Sequence, residues 1–401
     1  MNKNILYISY DGLTDPLGQS QILPYIIGLT QQGYNFTIIS AEKVEVYEIG
    51  KENIFKICSE NNIDWQPVKY TKKPAILSTI KDIKTITKLS NKLHKQKKFS
   101  VVHCRSYISS IVGLKMQKKY DIKFIFDMRG FWADERVDGN IWNLNKHHYR
   151  LVYKYFKKKE MQFCDSADAI VSLTHIGKKI MQEQWQVSKP IYVIPCAVDT
   201  NLFKPKINVN SKFKTQKSEL TLGYLGSIGT WYMLDEMLDF FKVLLEKYPK
   251  AKFKFVTTET PATILNKAIV RDIDIDHFEI SSAERLNVPN ELSKIDIGIF
   301  FIKPSFSKQS SSPVKQGEFM AMGIPVIANT GIGDTDNIIN KYKSGLLVKE
   351  FNKLEYKRIV NLIKEELINN KEPILKGAKE YFSLNTGVDT YKKVYSDLII
   401  L

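Results

Sequence analysis

SSSPVKQGEFMAMGIPVIANTGIGD, residues Ser310–Asp334, reads as a loop, a helix, a turn and a strand in quick succession. Ser-Ser-Pro ends the loop, Val314 to Met322 forms a short helix, Gly-Ile-Pro turns, Val326 to Asn329 is a buried strand, and a Gly-rich exit follows. Pro313 suits the first helical position, where its missing N–H would have no partner, and Ser311 or Ser312 is placed to cap the free amides beside it. A helix start of this kind favours an anion. Lys315 adds a full positive charge in the first turn, and Glu318 follows one turn behind on a similar face. The spacing suits a phosphate held beside a sugar hydroxyl, and it equally suits an ordinary well-capped αβ unit.

The rest of the chain repeats this grammar. With 401 residues, 43% of them hydrophobic, it is long enough for two cores, and no repeat or low-complexity tract appears. The longest apolar runs, Ile22–Leu29 and Ile295–Ile302, are too short to span a bilayer, and the N-terminus goes directly into a strand. Cys58, Cys104, Cys164 and Cys196 lack metal-ligand spacing. The expectation is a soluble, uncleaved cytoplasmic protein without structural zinc.

The net charge of +16 is uneven: residues 1–200 hold 30 Lys and Arg against 19 Asp and Glu. From Lys69 to Lys98 there are ten lysines and one acid, Asp82, with Ile76, Ile80, Ile83, Ile86, Leu89 and Leu93 at helical spacing. A second basic amphipathic stretch runs from Lys146 to Lys159, with Tyr149, Val152, Tyr155 and Phe156 on its apolar side. Each alone reads as a solvated outer helix; together they suggest a surface for anionic lipid headgroups. No nucleic-acid recognition motif accompanies them, so nucleic acid is not an expected partner.

In order, ILYISY is a strand, Asp11–Ser20 a long turn, Gln21–Gln32 a helix closed by Gly33, and Phe36–Ser40 a strand, which together make a βαβ unit with a parallel sheet. Gly12 and Gly18 occupy the turn where such sheets bind ligands, but the spacing is not GxGxxG, and a dinucleotide dehydrogenase loses ground. FSVVHCRS delivers His103 and Arg105 to a strand end. KFIFDMRGFWADE then releases Asp127, Arg129, Trp132, Asp134 and Glu135 into one loop. AIVSLT follows, with Thr174 capping the helix Gly177–Gln186, and residues 204–219 read as a linker. The second half begins with LTLGYLGSIG, continues with the helix Thr230–Lys247, and reaches the opening stretch through the strand IDIGIFFI; Asp389–Leu401 ends it as a helix. Asp272, Asp274 and Asp276 form a DxDxD run that reads as a solvated connection rather than a metal site.

VDTNLF, GYLGS and PVKQGEFMAMGIPVIAN, in that order, resemble the retaining glycosyltransferases of family 4, and DGLTDPLGQSQILPYI with DMRGFWADE resembles a bacterial surface-polysaccharide subgroup. The resemblance implies an α/β GT-B fold of two Rossmann-like domains with parallel sheets facing a central cleft. Their expected bounds are 1–203 for the acceptor, the linker 204–219, and 220–385 for the nucleotide-sugar, with 386–401 a helix returning to the first domain. It implies a retaining, hexosyltransferase-like enzyme using a nucleotide-sugar (UDP-sugar favoured, GDP-sugar an option) on a lipid-linked or oligosaccharide acceptor, without metal or other cofactor, at the inner face of the membrane. An epimerase on the same fold and a non-catalytic binding protein are the alternatives. Carried onto this chain, Glu318 matches the second glutamate of the family's pair and would hold the ribose, while Ser310 stands where the first would be. The usual Arg and Lys after the second domain's first strand are absent; Gly226, Ser227 and Thr230 lie there. Lys315 is the expected replacement for that charge, with Lys303 or Lys308 behind it. Ser311, Ser312 and Val314 complete the donor side. Asp127 and Arg129 stand in place of the family's His-Asp pair and join Lys315 as catalytic candidates, with Gly18, Gln19, His103 and Arg105 also on the acceptor side.

Overall fold

The computed structural model describes residues 2–205 and 220–399, so most of the stretch expected as a linker lies outside the described residues. The chain forms two units, Met1–Pro195 with Leu384–Leu401, and Cys196–Ser383.

The first unit is built on seven strands: β1 (Asn4–Ser9), β2 (Asn35–Glu42), β3 (Asp64–Lys69), β4 (Val101–Arg105), β5 (Lys123–Asp127), β6 (Ala169–Ser172) and β7 (Ile191–Val193). All pair in parallel in the order β3-β2-β1-β4-β5-β6-β7. Helices on both faces bury β1, β4 and β5 completely along most of their length, which is why these strands read as unbroken apolar runs. Register places Ser9 beside Arg105 and Arg105 beside Asp127, so three polar residues share the carboxyl edge. Strand order reverses between β1 and β4, where open parallel sheets bind ligands.

The second unit repeats the plan with β8 (Thr221–Leu225), β9 (Lys252–Val256), β10 (Phe278–Ser281), β11 (Ile297–Phe300), β12 (Val326–Asn329) and β13 (Gly345–Val348). Its parallel order is β10-β9-β8-β11-β12-β13, reversing between β8 and β11. Phe240, Phe241, Phe253, Phe255, Ile297 and Val326 are fully buried in its core. The chain between the two sheets joins this unit early: Val198 bridges Ser383 and Phe203 is buried.

Several local expectations are corrected. The helix expected over Gln21–Gln32 is two, Pro16–Gln21 and Leu23–Thr30, broken at Ile22; a proline in the first turn starts each, so the turn expected to last to Ser20 is already helical at Pro16. Trp132–Asp138 is a helix rather than loop, leaving only residues 128–131 irregular. The helix expected from Thr230 starts at Leu234, because Tyr232 bridges Ile302 and the Met233 amide donates to Phe301 O. The helix Val44–Glu60 and strand β3 were not read from the sequence. That helix buries only Ile54 and Cys58, and β3 is a polar, proline-containing edge strand, so neither shows clear periodicity. Thr174 does cap its helix, accepting from the Gly177 amide at 2.9 Å.

Candidate functional site

In the second unit the loops after β8 and β11 meet at the reversal of strand order. Gly226 leaves β8 with φ +97°, a conformation that favours glycine, and its amide donates to Val256 O. Tyr224 donates to Ser227 O at 2.6 Å and ties the turn back onto its strand. Gly229 continues it with φ +48°. From β11 the chain passes through a 3-10 turn, Ser307–Ser310, into the helix Val314–Ala321. Pro313 is the N-cap and no side chain caps the helix, contrary to the role expected for Ser311 or Ser312; Ser312 Oγ instead accepts from the Cys196 amide at 3.2 Å.

Lys315 extends from this helix start to the β8 turn. Its side chain is buried, 6% exposed, and among the described residues Nζ has no hydrogen-bond partner. The ammonium lies 3.4 Å from the Tyr232 ring centroid and 3.9 Å from that of Tyr224. A Cβ placed on Gly226 would be 3.8 Å from Nζ, so the glycine leaves that approach narrow but open. Burial pulls the Lys315 pKa well below the ordinary lysine value, with Glu318 opposing. A second lysine, Lys308, is buried with Nζ 3.6 Å from the Trp231 ring centroid, while Lys303 is exposed. Glu318 is buried and carries Arg285 on its carboxylate. Ser227 and Thr230 are exposed at the loop, and Ser311 and Val314 are half-buried. Ser310 is buried and donates to Ser307 O at 3.1 Å.

In the first unit, His103, Arg105 and Asp127 are buried together at the carboxyl edge. Tyr391 donates to Asp127 Oδ2 at 3.0 Å, and His103 Nε2 stands 3.5 Å from the same oxygen. His103 Nδ1 lies 2.5 Å from the Tyr395 hydroxyl. Burial lowers the His103 pKa against the opposing pull of Asp127. Burial pushes the Asp127 carboxyl up, but Arg129, His103 and Arg105 outweigh it and hold the group below its ordinary value. Arg105 donates from Nε to Asp11 at 3.3 Å. Arg129, at φ +55°, is half-buried, whereas Asp127 exposes no surface. Gly18 and Gln19 belong to the turn after β1: a Cβ on Gly18 would strike Gly12 O at 2.1 Å, and Gln19 donates to Thr14 O at 2.9 Å.

Glu42 escaped the sequence reading. At the end of β2, where a dinucleotide-binding fold keeps its ribose acid, its carboxylate accepts from the Leu13 and Thr14 amides and from the Thr14 and Ser40 hydroxyls. It clamps the β1 turn instead of holding a ribose. Tyr391 and Tyr395 also escaped; their four-residue spacing on the last helix is the available signal. The DxDxD run is a turn before β10, in which Asp274 accepts from the Asp276 amide and Asp272 lies 3.4 Å from Lys242.

Two Rossmann-like halves with parallel sheets, each with its polar residues at the reversal of strand order, define the GT-B fold. Residues 25–202, somewhat under half the chain, match the family described as Glycosyltransferase Family 4. No curated protein sequence matches the chain. Among solved structures, the sucrose-phosphate synthase of Thermosynechococcus elongatus is 12% identical with a TM-score of 0.73, covering 99% of each chain. The Anabaena protein HepE, solved with UDP-glucose, is 12% identical with a TM-score of 0.66, covering 98% of this chain and 99% of its own. A UDP-N-acetylglucosamine 2-epimerase from Listeria monocytogenes, so described provisionally, is 12% identical with a TM-score of 0.56, covering 98% of this chain and 95% of its own.

Proposed function

We propose that this chain is a retaining glycosyltransferase that moves a sugar from a nucleotide-sugar, UDP-sugar in the first instance, to a lipid-linked or oligosaccharide acceptor in cell-surface polysaccharide synthesis. The observation that carries the reading is Lys315: a buried amine with no hydrogen-bond acceptor among the described residues, at a helix start and beside a glycine turn. A diphosphate supplies the missing anion. As the bond from the anomeric carbon to the diphosphate breaks, charge grows on the departing phosphate oxygen, and a cation fixed there stabilises the transition state more than the ground state. Glu318 holds the ribose. On the acceptor side, the half-buried Arg129, whose charge is felt by the Asp127 carboxylate, meets the acceptor. UDP-glucose bound to HepE supports the choice of donor. No divalent metal is required, because Lys315 and the helix start meet the diphosphate.

The test is transfer from UDP-sugars by purified protein. Lys315→Ala is expected to lose roughly 100- to 1000-fold in turnover, the worth of one such donor. Near-wild-type turnover in this variant would refute the role. The epimerase-like neighbour supports a second reading, in which the donor is isomerised without an acceptor. Product analysis separates the two: a free isomerised nucleotide-sugar formed without acceptor favours the second.

The protein works at the cytoplasmic face of the membrane as a peripheral enzyme. Among the described residues no helix is long and apolar enough to cross a membrane. The helix Ala75–Lys97 leaves Ile76, Leu77 and Ile80 exposed, and Lys72, Lys73, Lys81 and Lys84 are exposed around them. On the helix His147–Ser166, Leu151 and Tyr155 are likewise exposed among lysines. Apolar residues ringed by cations suit an anionic lipid surface.

A further inference from the structure

Glu318 is engaged before any donor arrives. Arg285 donates from Nη1 to Glu318 Oε1. The glutamate side chain is 6% exposed and the arginine side chain 43%, so the acceptor of this bond lies inside the site and its donor at the rim. The guanidinium also lies 4.5 Å from the centroid of the Phe203 ring, and Phe203 is itself fully buried. Arg285 opens the 3-10 turn Arg285–Asn287 that follows the loop after β10, and its neighbour Leu286 is largely exposed. A fixed aromatic face therefore supports a cation carried on an exposed turn.

A carboxylate binds a ribose through its two oxygens, each accepting one hydroxyl of the 2′,3′-diol. The guanidinium makes the same kind of demand on the same oxygens. With Arg285 on Oε1, one of the two oxygens is already engaged, so the arginine and one hydroxyl of the diol compete for it. Phe203 lowers the cost of exchange, because a guanidinium stacked on an aromatic ring keeps part of its stabilisation after its hydrogen bond is lost.

We infer that Arg285 is a built-in competitor for the donor ribose: it occupies Glu318 in the ligand-free protein and yields that carboxylate to the diol when a nucleotide binds. This rests on the reading of Glu318 as the ribose residue. The consequence is a threshold for binding. The displaced ion pair lowers the affinity of every ribose-bearing ligand alike, so a ligand is held tightly only if its other contacts, the diphosphate on Lys315 above all, offset that loss.

Isothermal titration of UDP into wild-type protein, Arg285→Ala, Arg285→Met, Glu318→Ala and the Arg285→Ala/Glu318→Ala double variant tests it. Removing Arg285 is expected to tighten UDP by about three- to fivefold, the worth of a half-exposed ion pair. Arg285→Met, which keeps an apolar chain on Phe203, is expected to show the same gain. In the Glu318→Ala background, removing Arg285 is expected to change nothing. Weaker or unchanged UDP binding in both single Arg285 variants would overturn the competitor, since Arg285 would then contact the nucleotide or orient Glu318. If Glu318→Ala binds UDP as well as wild type, the ribose reading itself fails, whatever the Arg285 variants do.

Discussion

A lysine buried without an acceptor is costly unless it is neutral or stacked, and Lys315 shows both responses: its pKa falls through burial and its ammonium lies against Tyr224 and Tyr232. The sign of its pH dependence follows. In the free protein the group is neutral above its depressed pKa. A bound diphosphate favours the protonated form and raises that pKa. Between the two values each UDP bound takes up about one proton, and affinity falls as pH rises through that window. Titrations in buffers of different ionisation enthalpy measure the uptake; affinity independent of pH across the window would contradict it. That Lys315 and Glu318 lie together on one helix was legible in the sequence because a helix start, a cation and a carboxylate stood within one turn. Arg285 was not, since it meets Glu318 from 33 residues away. Glu42 was hidden likewise, its partners Leu13 and Thr14 being 29 and 28 residues distant. Glu42→Ala leaves buried donors unpaired and is expected to cost about 2–4 kcal/mol, read as a lower urea midpoint. A loss under about 0.5 kcal/mol, the range of ordinary surface changes, would show that the clamp is unimportant.

At the scale of elements, strands were read more reliably than helix ends. Buried parallel strands such as β1 and β12 are continuous apolar runs, whereas the start of the helix at Leu234 depends on a bridge between Tyr232 and Ile302 that local sequence does not announce. The last helix, expected from Asp389, runs Leu384–Ile399 and packs on Leu23–Thr30, where Gly28 meets Val388 and Gly387 meets Tyr25. Its Tyr391 reaches Asp127, so Tyr391→Phe is expected to lower stability by roughly 1–3 kcal/mol. An unchanged urea midpoint would mean that the bond contributes nothing. On the helix Ala75–Lys97, replacing Ile76, Leu77 and Ile80 together with serine is expected to abolish binding to phosphatidylserine vesicles at low salt while leaving the unfolding midpoint nearly unchanged. Vesicle binding that survives the triple change would remove this helix from the membrane surface.

For the whole molecule, two parallel sheets were legible because the strand-turn-helix grammar restarts after the linker; their strand order was not, because it is set by pairings distant in sequence. The proposed division of labour between the units rests on the family resemblance, since sheet topology alone does not say which ligand goes where. Transfer is expected to continue in EDTA and to give a product whose anomeric configuration equals that of the donor, read by NMR coupling constants. An inverted product would overturn retention, and loss of transfer in EDTA restored by Mg²⁺ would overturn metal independence. The central claim is narrower: Lys315 is the cation that meets the donor diphosphate. Its most direct test is calorimetric titration of UDP and of uridine into wild-type protein and Lys315→Met, which keeps the apolar length of the side chain against the two tyrosines. Lys315→Met is expected to lose most of the affinity for UDP and to keep that for uridine; equal UDP binding by the two proteins would contradict the role of Lys315.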